Sequence, residues 1–169
     1  MGNYNDKMLG IAAGYMEYLG TSDMTPEQVK SEFFRMGCSF NVKPGSERTY
    51  VSISGLAENM PKAIALFEKL MADAQVNAPA YTNLVGDILK SRVDAKANQG
   101  TNFSQLRQYV TWGPEIKKTI PSAQELQTAN PQELVDRIHN IFSYKHRILY
   151  YGPASEKELI ALLDKEHRT

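Results

Sequence analysis

Along the 169 residues the apolar positions change period several times, and each change marks an element. After Thr25, Val29, Phe33 and Met36 recur at helical spacing until Gly37. The lead-in Thr25-Pro26-Glu27-Gln28 supplies an N-cap, a proline at the first helical position and a capping-box partner, so a helix is expected there. Met60, Ile64, Phe67, Leu70 and Met71 form a second stripe, opened by Asn59-Met60-Pro61. A third helix is expected after Asn77, with Leu84, Val85, Ile88 and Leu89 facing inward. "SAQE" from Ser122, "NPQE" from Asn130, and Ser155 with Glu158 repeat the capping grammar and predict three more helix starts.

Between the helices the period falls to two. Cys38, Phe40 and Val42 alternate with Ser39 and Asn41, turn residues follow at Pro44-Gly45-Ser46-Glu47, and Thr49, Val51 and Ile53 alternate with Tyr50 and Ser52. The pattern predicts a β-hairpin. Arg147 to Tyr151, stopped by Gly152-Pro153, predicts a third strand. The polar stretch 94–105 reads as a helix end, a glycine-containing turn and a helix start. Few strands among many helices, without regular βα alternation, place the chain in the α+β class, an antiparallel sheet packed with helices. Residues 1–169 are expected to form a single domain.

Composition narrows the chemistry by exclusion. Nineteen basic residues balance nineteen acidic ones, so there is no electrostatic footprint for nucleic acid or for a membrane surface. No apolar run approaches the roughly 20 residues needed to span a bilayer. Cys38, the only cysteine, cannot form an internal disulfide and is expected to be buried. No G-x-S-x-G, G-x-x-x-x-G-K-[ST] or G-x-G-x-x-G spacing occurs. The histidines His139, His146 and His167 form no H-x₃-H pair and are expected to be exposed or locally bonded, with no metal role.

The order of motifs is informative. A helix ending in Tyr18-Leu19-Gly20-Thr21, a capped helix ending in "MGCSFNV", the hairpin strand "RTYVSISGL" and the helix "ENMPKAIALFEKLMADA" together resemble the pitrilysin or insulinase (M16-like) family of inverted-motif zinc peptidases. The resemblance runs from about Gly10 to Leu163. It implies a domain of a clamshell in which two or four homologous copies enclose a peptide chamber and only one copy holds zinc.

In active members, H-x-x-E-H sets two imidazoles at i and i+4 on one helical face, with a glutamate as general base and a distal glutamate completing the site. Registering the chain on Gly20-Thr21 places Ile11 and Tyr15 at the histidines, Gly14 at the base and Asp87 at the distal glutamate. These side chains do not make a zinc site. The resemblance therefore implies a catalytically silent copy, excised from a longer protein or acting beside an active one. Zinc is expected only in a homologous catalytic domain of the same or a neighbouring chain. Ser39, Phe40, Asn41 and Val42 resemble the edge strand along which an extended peptide substrate is added, and Asn41 matches an asparagine frequent there.

Two alternatives stay open: a purely structural module like the core proteins of the respiratory bc1 complex, and a hydrolase with an unrelated site. A complete domain of the family opens with strands, whereas here a helix is expected almost at once, near residues 4–8. The sheet is thus expected to lack its first strands, through degeneration or because the chain is a fragment, and self-association along the open edge is then plausible. By implication of the family, bacterial relatives reside in the periplasm or cell envelope.

Overall fold

The computed structural model describes residues 1–167. The chain begins as a pinned segment rather than a helix. Asn3 N–H donates to the Gly45 carbonyl and Tyr4 N–H to that of Ser46, both at 2.8 Å. Gly2 lies so close beneath this turn that a Cβ would come within 2.6 Å of backbone atoms of residues 45–47. Residues 1–6 are thereby tied to the hairpin, and the first helix, α1, starts only at Leu9 (Leu9–Tyr15), later than the expected 4–8.

A short 3₁₀ turn (Met16–Tyr18) leads to α2 (Pro26–Arg35). Its capping box is complete: Thr25 Oγ1 accepts from Gln28 N–H, and the Gln28 side chain accepts from Thr25 N–H. Gly37, at φ +58°, adopts the left-handed conformation that ends the helix and swings the chain into β1 (Cys38–Pro44). The partner strand β2 (Thr49–Gly55) pairs antiparallel in the register Cys38↔Gly55 to Pro44↔Thr49. Cys38, Phe40 and Val42, with Val51 and Ile53, turn toward the core, while Ser39, Asn41, Tyr50 and Ser52 face water.

The rest is helical: α3 (Met60–Asp73), α4 (Ala78–Lys96), α5 (Gln99–Trp112), α6 (Ala123–Thr128), α7 (Pro131–His139) and α8 (Glu156–Glu166). Helix α3 carries the hairpin on one side and meets α7 and α8 on the other, and α7 also packs on α1. Phe40 sits between Phe33 and Phe67, with ring centroids 4.9 and 5.1 Å away. Phe67, Leu134 and Ile138 are fully buried, each burial favouring the fold by about 1.5–3 kcal/mol. The architecture is α+β.

Two further sequence expectations need correction. Arg147–Tyr151 is not a strand: among the described residues the sheet has two strands, and this segment has no regular secondary structure and faces solvent, with Leu149 88% exposed. Its β-prone composition has no sheet edge beside it to pair with, and propensity without a partner does not make a strand. Gly100 lies inside the first turn of α5 rather than between helices, because Asn98 caps α5 by accepting from Thr101 N–H. Asn130 does cap α7 as expected, accepting from Gln132 N–H, and Glu133 pairs with Arg137.

Candidate functional site

A groove of about 770 Å³ opens between α1, α2 and β1. Its α1 wall is made by Gly10, Ala13 and Gly14, continued by Glu17 in the 3₁₀ turn. Lys30 and Phe34 stand on the α2 side, and Ser39 to Lys43 form the β1 side. No residue of β2 lines it, so the groove runs along the edge of β1 that β2 leaves free.

The chemistry of that edge follows from the pairing register. Just beyond the ladder, Leu56 N–H donates to the Gly37 carbonyl and Gly45 N–H to the Arg48 carbonyl. Both bonds keep the ladder's register, so the hydrogen-bonded pairs fall on the odd-numbered residues of β1: Ser39, Asn41 and Lys43. The alternate residues therefore turn their backbone groups outward. Pro44 confirms the parity, since its carbonyl accepts from Asn3 Nδ2 on that outer side. Phe40 and Val42 thus aim N–H and C=O groups away from β2, and among the described residues no hydrogen bond reaches them. Their side chains meanwhile pack inward, and those of Ser39, Asn41 and Lys43 flank the opening.

The four positions singled out on the zinc-motif register do not converge. Tyr15 is fully buried, its hydroxyl donating to the Asn77 carbonyl at 2.6 Å and accepting from Asn77 N–H at 2.9 Å. Burial pushes this hydroxyl above the usual tyrosine range, with the Asn77 backbone contact acting the other way, so it stays a neutral donor. Its ring meets Tyr81 edge-on at 5.5 Å. Ile11 is half-buried against the core. Only Gly14 is exposed and on the groove, with open space where a Cβ would stand. Asp87 is exposed on α4, two residues past the buried Val85 and so on the opposite side of that helix.

Sequence reasoning placed the edge strand but missed the wall facing it. Gly10, Ala13 and Gly14 form an i, i+3, i+4 set of small residues, and that spacing was the available signal. Neither this set nor Ile11, Gly14 and Tyr15 supplies the imidazole, thiolate and carboxylate donors that zinc takes, so a zinc ion of the inverted-motif kind does not fit α1.

By sequence the chain matches no family profile and no curated protein. By structure it is similar to solved proteases. The periplasmic protease PqqL from Escherichia coli superposes with a TM-score of 0.72 at 11% identity, over 98% of this chain and 18% of that one. The ferredoxin protease FusC, solved in complex with Arabidopsis ferredoxin, gives 0.63 at 12% identity, over 79% of this chain and 15% of that one. The chain thus spans less than a fifth of the length of either neighbour, and its α+β fold is similar to a domain of the pitrilysin/insulinase type.

Proposed function

We propose that this chain is a catalytically silent peptidase-like domain whose groove receives an extended peptide as an added strand along β1, within a larger chambered protease. The observation that carries the reading is the pair of outward-facing backbone units at Phe40 and Val42, opposite a wall with no bulky side chain. A free strand edge binds an extended chain through main-chain hydrogen bonds and tolerates varied sequence. The flanking Ser39 and Asn41 would contact the peptide's side chains.

The groove also refines the zinc-motif register. In the active family one helical face carries the two histidines and the glutamate, and here the face on the groove is Gly10, Ala13 and Gly14, one residue earlier than Ile11, Gly14 and Tyr15. A single-residue step turns a helix by about 100°, which moves Tyr15 from the cleft to the core. Metal and general base would come from a homologous active domain in the same or a neighbouring chain. The small share of each protease neighbour that this chain covers supports such a larger assembly, and the periplasmic PqqL supports a periplasmic setting.

Titrating unfolded, extended peptides while following backbone amide signals tests the reading. Saturable shifts are expected at Phe40 and Val42, larger than at Val51 and Ile53, with no peptide cleaved. A purely structural module gives no shifts. Cleavage by the isolated chain that stops on adding a chelator overturns catalytic silence.

A further inference from the structure

We infer that the outer edge of β2 is an interaction surface for a second copy of this chain, joined by antiparallel pairing of β2 with β2 so that the two hairpins form one continuous sheet. The register that frees Phe40 and Val42 on β1 also fixes this other edge. Tyr50, Ser52 and Ser54 face Lys43, Asn41 and Ser39 in the hydrogen-bonded pairs, so Val51 and Ile53 turn their backbone N–H and C=O groups away from β1. Among the described residues no hydrogen bond reaches those groups. The two edges differ in what stands beside them. Helices α1 and α2 pack beside β1 and wall its edge into the groove, whereas β2 packs on β1 and α3.

Free strand edges are usually blunted by a charge, a proline or a bulge. Strand β1 ends in Lys43-Pro44, but Thr49 to Gly55 holds neither a charged residue nor a proline, and its register has no bulge. This unguarded edge fits its own copy. Pairing about a twofold axis at Ser52 overlaps the whole strand, sets Val51 opposite Ile53 of the second copy, and lets each such pair exchange both of its hydrogen bonds. Val51 and Ile53 are half-buried on the core face, so each gains a β-branched cross-strand neighbour there. Arg48, exposed just ahead of β2, and Glu58, exposed just past it, come to the same ends of the pair with opposite charge. An arbitrary extended peptide supplies neither match. The surface shares no residue with the groove and does not depend on the function proposed for it.

Sedimentation velocity of the full chain over a hundredfold range of concentration should show a reversible monomer–dimer equilibrium. Ser52→Lys, at a position that faces water, sets two ammonium groups opposite each other at the axis. It should weaken the dimer at least tenfold and leave the circular dichroism unchanged. Cysteine substitution reads the register. Non-hydrogen-bonded antiparallel partners have Cα atoms about 4.5 Å apart, within disulfide reach, so Ser52→Cys should form a covalent dimer in air. Tyr50→Cys should not, because its copy lies about 13 Å away along the strand. Cys38 is buried and stays out of the reaction. A chain that remains monomeric throughout overturns the proposal, as does Tyr50→Cys cross-linking as readily as Ser52→Cys. So do Val51 and Ile53 amide shifts that saturate with an extended peptide, since the edge then takes any strand rather than its copy.

Discussion

The Tyr15 hydroxyl closes a ring of two hydrogen bonds on one residue, giving its proton to the Asn77 carbonyl and taking that of the Asn77 amide. Asn77 in turn caps α4 through Ala80 N–H and holds the Tyr18 carbonyl with its side-chain amide. One phenol thus fixes the rotation of α1 and the start of α4 together. With that face committed to the core, Gly10, Ala13 and Gly14 are left facing the groove.

Tyr15→Phe keeps the ring and removes the hydroxyl, leaving the Asn77 N–H without its partner while the Asn77 carbonyl keeps the Tyr81 N–H. The chain should lose about 1–3 kcal/mol of stability, the usual cost of buried polar groups left unsatisfied. Urea unfolding followed by circular dichroism measures it, with an unchanged m-value expected.

The rotation of α1 makes a second prediction that discriminates between two registers. Gly10→His with Gly14→His places two imidazoles at i and i+4 on the groove, where Gly14 has open space and Gly10 meets only the Asn3 side chain at 3.3 Å. That double variant should fold and gain a zinc-dependent rise in Tm that the unchanged chain does not show. Ile11→His with Tyr15→His should instead destabilise the chain by about 3 kcal/mol or more, since it empties a core aromatic site, and should gain no zinc response on α1.

Along β1 the outward and inward backbone groups can be separated by proline, which has no N–H to give. Val42→Pro removes an amide aimed at the groove and should abolish peptide-induced shifts while the hairpin persists. Asn41→Pro removes an amide that serves the ladder to Ser52 and should unpair the hairpin itself. Comparing the two by amide exchange and peptide titration reads the parity of the strand directly.

Acid should release one long-range tie late. The Lys7 ammonium beside Glu125, followed by the Ser122 backbone and hydroxyl of the same capping box, lowers the Glu125 carboxyl to about 2. A depressed folded-state value means that its contribution is present above the ordinary range near 4.5 and is lost as pH falls through about 2. The Lys7–Glu125 contact should therefore survive at pH 4. Carboxyl-carbon titration by nuclear magnetic resonance checks this, and a Glu125 midpoint near the ordinary value contradicts it.

What the sequence made legible was local. The capping boxes at Thr25, Ser122 and Ser155 each connect residues three apart, and all three form as read. The hairpin was legible because alternation and turn residues sit within 18 positions, from Cys38 to Gly55. What escaped depended on partners far away. Whether residues 147–151 become a strand depends on an edge to pair with, which composition cannot supply. Which face of α1 is the core face depends on Asn77, 62 positions from Tyr15. The edge strand was found because its alternation is local; the wall opposite it was not, because glycine and alanine carry little hydrophobic signal.

Helix α1 lies against α7, and Asp6 is bound to Arg137, 131 positions later. During synthesis at about 5–20 residues per second, the first helix leaves the ribosome several seconds or more before the surface that buries it exists. Until then the part of its surface that α7 covers is open to chaperones or to other nascent chains. The order of translation thus leaves α1 waiting for α7 across more than a hundred intervening residues.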